Sequence, residues 1–422
     1  MRQADNPVQA TAPETEKPAR IPTRKERPSL AVLPFDELGA PDTDMFADGV
    51  VEEITSALSR VHEFHVVARQ SAYALADRGV DALKAAARLG TDYLVEGSLR
   101  RAGDRVRISV QLIDGKSANT LWAHRFDDRL DDLFDLQDRI AAQVAGQISP
   151  NLRTAEIARA SDRPPTDRST YELVLTALPA FWAHTRDGNA RALALLDRAL
   201  EIDPNFGPAL AYKAWVLAQQ PSYMWSDDPL GDKAQALDLA KQAAAMTTDH
   251  APSHVAIGAA VSLVSDDLLL ANAHIDRALT IDPNNAWGWL RRGWNRAYAS
   301  ERDEARDCFA RVAALSPLDP FLFNVAFGFG AIFMSEGRLD DALAQFRRGM
   351  SLSPNIEWAH RLLAVCHMRL GQIDKAMAEF RLLEAAYPGM TIQKLADSIP
   401  PSVVENQPEY YDALRKAGMP ER

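Results

Sequence analysis

Internal periodicity constrains this chain more than any other feature. The segments LLDRALEIDP (195–204) and HIDRALTIDP (274–283) are near copies, and RRGMSLSP (347–354) is a shortened version of the same phrase. Prolines fall at 204, 283, 317, 354 and 388, and an alanine stands 12 residues ahead of each, at Ala192, Ala271, Ala305, Ala342 and Ala376. A small residue also recurs at Ala180, Ala214, Ala259, Gly293, Gly330 and Ala364, and a bulky apolar one at Leu196, Ile275, Phe309, Phe346 and Phe380. Small side chains at fixed spacing let two helices cross closely, and the bulky residue fills the angle between them. One such helix pair cannot bury its apolar face alone, so stacked pairs share a continuous core. The spacing predicts six two-helix units at 173–206, 207–251, 252–285, 286–322, 323–356 and 357–390. The second departs most, with an insertion at 219–232 and no closing proline. Residues 391–422 are read as the cap that covers the last apolar face.

Ahead of the repeats the pattern is different. Residues 1–28 hold five prolines among small and charged residues and read as a disordered Pro-rich linker. From Ser29 to Pro150 strand-like and helix-like stretches alternate. SLAVLPF (29–35) and FHVVA (64–68) read as strands, and FADGVVEEITSALSRV (46–61) and ALKAAARLG (82–90) as helices. Three strands follow at 93–101, 105–113 and 119–126, then a helix over 131–149. In the middle strand Val106, Ile108, Val110 and Leu112 alternate with Arg107, Ser109 and Gln111, so one face is buried and one wet. The order βαβαβββα predicts a mixed-sheet α/β domain over 29–150, joined by a polar connector, 151–172, to the all-α repeats.

These residues carry two resemblances. The repeat positions resemble the tetratricopeptide repeat (TPR) family. FADGVVEEITSALSR, YLVEGSLRRAGDRVRISVQLID and TLWAHRFD resemble the TolB amino-terminal-like domain. The pair together, ending in LRKAGMPE, is similar to the C-terminal region of bacterial proteins in which it follows either a class III adenylate/guanylate cyclase domain or a winged-helix DNA-binding domain. Either effector domain would lie upstream of Pro28, so the chain reads as a stand-alone version or as the accessory half of a longer protein. The TPR resemblance implies a concave face lined by the first helix of each repeat. Its positions hold Phe181, Trp215, Trp287, Trp294, Phe327 and Trp358, with Arg361 and His184 as polar handles, while Trp289 packs between helices. Aromatic and Arg anchors dominate protein interfaces, so this groove is expected to grip a partner peptide or helix.

Other chemistry finds little support. The charge sum of 47 basic and 58 acidic residues, −11, argues against direct nucleic-acid binding by this chain. Cys308 and Cys366 are the only cysteines, which suits a reducing cytoplasm. The most lipid-like run, Phe321–Met334, is 14 residues long against the ~20 that a bilayer needs, so no membrane span is expected. No phosphate-binding glycine loop, nucleophile elbow or cyclase carboxylate pair is found. His250 and His254 have i,i+4 spacing without the glutamate or third ligand of a zinc site. Asp127, Asp128, Asp131 and Asp132 read as acidic residues at a helix N-terminus. No catalytic residue, metal or cofactor is therefore expected. Arg69 and Ser71 follow a strand end, where α/β sheets bind ligands, and mark a site for a small anion. The expectation is a non-enzymatic cytoplasmic scaffold or regulator of unassigned oligomeric state. The alternatives are the regulatory half of a class III cyclase in cAMP signalling and the sensor half of a winged-helix regulator.

Overall fold

The structure is a computed structural model that describes residues 27–38, 46–61, 63–76, 81–102, 105–129, 133–162, 168–316, 321–400 and 408–422. The linker expectation for residues 1–28 therefore lies outside the described residues except at Arg27 and Pro28. Six strands, β1 (Ser29–Val32), β2 (Asp36–Glu37), β3 (His65–Val66), β4 (Tyr93–Ala102), β5 (Arg105–Asp114) and β6 (Thr120–Arg129), form one mixed sheet. Its order is β3-β1-β4-β5-β6, with β2 pairing to β4 beyond the end of β1. Strand β1 is parallel to β3 and β4, and β4, β5 and β6 form an antiparallel meander. Parallel neighbours need crossover connections, which α1 (Phe46–Ser59), α2 (Arg69–Ala76) and α3 (Ala82–Leu89) supply. Asp81 caps α3 by accepting from the Lys84 N–H, and Gly90 closes it at φ 65°, a left-handed turn that glycine adopts without strain.

The alternation in β5 sorts its side chains as expected. Val106, Ile108, Val110 and Leu112 are buried against Val50, Ile54 and Leu58 of α1. Each fully buried side chain of this size stabilises the fold by about 1.5–3 kcal/mol. Strand β6 is mostly exposed, and Asp127 and Asp128 belong to it, not to a helix N-terminus. They pair across the meander and beyond, with Arg107 at 2.5 Å from Asp127 and Arg139 at 3.3 Å from Asp128.

The helix expected to stop at residue 149 does not. Helix α4 spans Leu133–Ser161 with Pro150 inside it. Its apolar stripe runs straight through the proline, as Leu136, Ile140, Val144, Ile148 and Leu152 all bury against the sheet. One missing amide donor is offset by that continuous packing. The extension is also clamped by charge. Arg153 reaches Glu63 through two contacts, Nε to Oε2 at 2.9 Å and Nη2 to Oε1 at 2.5 Å. Arg159 pairs with Asp114 at 2.7 Å and lies 4.3 Å over the Tyr93 ring. Much of the expected connector is thus rigid helix. At Gly146 α4 touches the solenoid, where an added Cβ would stand 2.8 Å from the Leu315 carbonyl oxygen.

The rest of the described chain is a TPR-like helical solenoid. Its helix pairs are α5 (Thr170–Trp182) with α6 (Arg186–Ile202), α7 (Gly207–Ser222) with α8 (Pro229–Met246), and α9 (Ala251–Val264) with α10 (Leu268–Ile281). Then follow α11 (Ala286–Tyr298) with α12 (Arg302–Leu315), α13 (Leu322–Ser335) with α14 (Leu339–Leu352), and α15 (His360–Arg369) with α16 (Ile373–Ala386). A single 3-10 turn, Glu357–Ala359, leads into α15. Helices α17 (Ile392–Ser398) and α18 (Pro408–Ala417) follow the last pair. Ala192, Ala271, Ala305, Ala342 and Ala376 are fully buried where helices cross. A Cβ at Gly330 would lie 2.3 Å from the ring of Phe346, itself fully buried, so glycine is what lets that ring seat. Helix α9 is buried along all its residues. No helix among the described residues is long and apolar enough to cross a membrane.

Candidate functional site

The solenoid curls until its ends meet. Asn355, ahead of the 3-10 turn, donates to the carbonyl of Ala183 after α5 at 3.4 Å. Lys233 of α8 donates to the carbonyl of Ile399 after α17 at 2.9 Å. The inner face is consequently drawn into a cavity of about 410 Å³ between α7, α11, α13 and α15, with Ile399, Pro400 and Tyr410 from the C-terminal segment among its walls. That volume suits a compact ligand. An extended peptide running the length of a concave face needs more.

This curl changes the role of several expected groove residues. Phe181, Trp215 and Phe327 are 1%, 3% and 0% exposed, so they hold the wall together and do not present an open grip. Phe181 meets Trp215 edge-on at 4.6 Å, Trp215 meets Trp287 at 4.3 Å, and Phe327 meets Trp358 at 5.0 Å. Trp287, Trp294, Trp358 and Arg361 are half-buried and line the cavity. Trp289 packs as expected: its indole N–H donates to the Pro283 carbonyl at 2.8 Å, and Arg311 lies 4.8 Å over its ring.

His184 stands where the turn between paired helices requires a left-handed residue. The equivalent turns after α13 and α15 use Gly337 (φ 76°) and Gly371 (φ 69°), while those after α7 and α11 hold Met224 (φ 59°) and Ser300 (φ 64°), and His184 takes φ 50°. A side chain there costs roughly 1–3 kcal/mol unless its surroundings hold it. Tyr223 does so, stacked on the imidazole at 5.6 Å with its hydroxyl 3.2 Å from Nδ1. Burial pushes the His184 pKa down to about 4, so the ring is neutral near pH 7.

Sequence reading missed Arg291, the most buried charge of the cavity wall. It is 6% exposed, and it donates to the Ser262 hydroxyl of α9 at 2.9 Å. The signal was present, because Trp287, Arg291 and Trp294 stand at i, i+4 and i+7 on one helical stripe. Arg361 lies 5.0 Å over the Trp358 ring, with Nη1 4.0 Å from the Met224 sulfur. Among the described residues neither guanidinium has a carboxylate within ion-pairing distance. Burial lowers the pKa of Arg291, and both cations act on the phenols of Tyr223 and Tyr298. Five atoms on cavity-lining residues are shut from solvent without a hydrogen-bond partner: Arg291 Nε, Arg361 Nε, Trp294 Nε1, Trp358 Nε1 and His184 Nε2. A buried donor left unpaired costs about 1–3 kcal/mol, so the cavity is short of acceptors.

The remaining candidates are dispersed. Arg69 and Ser71 lie in the first turn of α2, shortly after the end of β3, and Ser71 is exposed. His250 caps α9 by accepting from the Ser253 N–H, and His254 faces His274 at 3.1 Å. Among the described residues no group of three His, Cys, Asp or Glu side chains is arranged to hold a metal ion. Cys308 and Cys366 are both buried, and burial pushes the Cys366 thiol up to about 12.

Two family descriptions match parts of this chain. Residues 25–143 match "HilA/YgeH-like transcriptional regulator, second domain", and residues 333–396 match "Tetratricopeptide repeat". The chain is 34% identical over 248 residues to "Putative adenylate cyclase 3" of Rhizobium meliloti (strain 1021), an alignment covering 58% of this chain and 42% of the relative. It is 24% identical over 234 residues to "Superkiller complex protein 3" of Homo sapiens, covering 54% of this chain and 13% of the relative. The chain thus spans less than half the length of either relative. Among solved structures, that of the APC/C hetero-tetramer Cut9-Hcn1 is similar at TM-score 0.43 and 15% identity, covering 68% of this chain and 50% of that one.

Proposed function

We propose that this chain is a non-catalytic recognition module whose solenoid receives a protein partner. The observation that carries this reading is the convergence of the half-buried Trp287, Trp294, Trp358 and Arg361 on one cavity of the concave face. Aromatic and Arg side chains in a partly buried ring are what interface anchors consist of. Because the solenoid closes on itself, the partner inserts an anchor from one side and does not thread the whole concave face. The TolB-like α/β unit adds a second surface, and two buried free thiols suit a reducing cytoplasm.

A second reading is favoured by the 34% identity to a cyclase-named relative over 248 residues. In it the chain is the regulatory portion of a class III nucleotide cyclase, and the partner is the cyclase domain itself. The test is affinity capture from native lysate with wild type beside Trp287→Ala/Trp294→Ala, both checked for helicity. A protein retained by wild type and lost by the variant supports the cavity as the working surface. Recovery of a cyclase supports the second reading, and recovery of a DNA-binding regulator favours a sensor role instead. Equal retention by both baits refutes partner binding at the cavity.

A further inference from the structure

The cavity of about 410 Å³ is lopsided in charge. Among the described residues its walls include four arginines, Arg291, Arg302, Arg361 and Arg369, against one carboxylate, Glu409, which is exposed and pairs with Arg369 at 3.6 Å. Arg291 and Arg361 have neutral partners among the described residues: the Ser262 and Tyr298 hydroxyls for the first, and the Tyr410 hydroxyl, the Trp358 ring and the Met224 sulfur for the second. In a chain of net charge −11, two unpaired cations at one partly enclosed place are not a surface average. Burying a cation without a counter-charge is costly, and the cost is removed when an anion enters. The indole N–H groups of Trp294 and Trp358, buried without an acceptor, ask for the same chemistry. The rest of the wall is largely aromatic, with the half-buried Trp287, Trp294 and Trp358 supplying ring faces and edges for an apolar body. Lastly, His184 stands at the cavity wall with its Nε2 lacking a partner.

We propose that this cavity is the binding site of a small organic anion with a flat apolar body. The acid group sits between Arg291 and Arg361, and the body stacks on the indoles. The anion would share Trp287, Trp294, Trp358 and Arg361 with the proposed partner site and so rests on the same surface, but the assay below uses the chain alone, so small-anion binding can fail while capture of a protein partner succeeds, and the reverse.

The full chain is titrated with 1-anilinonaphthalene-8-sulfonate and with N-phenyl-1-naphthylamine, the same ring system without the sulfonate. The sulfonate binds once per chain, at least about tenfold more tightly than the amine, the size of a charge-assisted contact in a partly enclosed site. Arg361→Gln lowers sulfonate affinity about tenfold and leaves the amine within about twofold, while Arg361→Lys recovers part of the loss because it restores the charge. Arg291→Gln, checked for helicity, repeats the pattern. Arg105→Gln on the outer sheet changes neither probe. Equal affinity for the two probes overturns the proposal, as does a loss at Arg361→Gln shared by both or a sulfonate loss at Arg105→Gln.

Discussion

Acid should weaken this fold in part through His184, and the size of the effect follows from its surroundings. The imidazole is 3% exposed among Tyr223, Phe321 and Phe323. Its pKa in the folded chain is about 4, against about 6.5 for the unfolded histidine, and burial is the cause. Between those values the unfolded chain holds the proton and the folded chain does not, so stability rises with pH and is lost as pH falls from 6.5 toward 4. Linkage gives a loss of about 2 kcal/mol between pH 7 and pH 5 from this residue. The assay is urea unfolding followed by tryptophan fluorescence, with wild type beside His184→Phe at pH 7, 6 and 5. Phenylalanine keeps a ring against Tyr223 and cannot take a proton. Other buried histidines, His250 and His274, titrate in both chains and cancel in the difference. The variant starts lower, because the Tyr223 hydroxyl loses a partner worth about 1 kcal/mol, yet it loses about 2 kcal/mol less on going to pH 5. Parallel stability curves for the two chains would refute the burial argument.

Other consequences can be checked in the same way. Arg153→Gln leaves the partly buried Glu63 without its cation and costs about 3 kcal/mol in chemical unfolding, and a loss under about 0.5 kcal/mol would mean that the junction does not rest on this pair. Phe327→Ala empties a fully buried ring site and costs about 3–5 kcal/mol, read as a fall in the urea midpoint without a change of slope. Gly330→Ala pushes a methyl into the Phe346 ring and destabilises by about 1–3 kcal/mol; a stabilised variant would show that the helices part easily. Cys366, with its thiol pushed up to about 12, resists a thiol reagent at pH 8 in the native chain and reacts in urea, and fast native labelling would contradict its burial.

How much of this was written in the sequence depends on the distance over which the cause acts. Ala192, Ala271 and Ala342 announced helix crossings because the partner helix lies in the same repeat, and the structure buries each completely. The alternation in β5 was equally local, since the pleat alone decides which of Val106 and Arg107 faces the core. The closing of the solenoid was not legible. It arises from small rotations added over all the repeats, and no single repeat carries a residue that states the total. Phe181 and Phe327 were therefore assigned to an open groove, where a wider curl would have put them. Pro150 misled for the opposite reason. It is a strong local signal for a helix end, and the distant packing of Ile148 and Leu152 on the sheet overrides it. Arg291 was hidden by composition habits, since a charge among apolar neighbours is easily taken for surface.

The unbroken course of α4 has a mechanical consequence. At 1.5 Å per residue its 29 residues make a rod of roughly 44 Å, gripped by the sheet along one stretch and abutting the repeats at Gly146. A tether between two bodies absorbs their relative motion, whereas a rod reports it. That contact falls on Leu315, at the end of the helix pair whose first member carries Trp287, Arg291 and Trp294. The α/β unit and the helix pair that carries the cavity-lining indoles therefore meet helix against helix, with no flexible segment between them at that point.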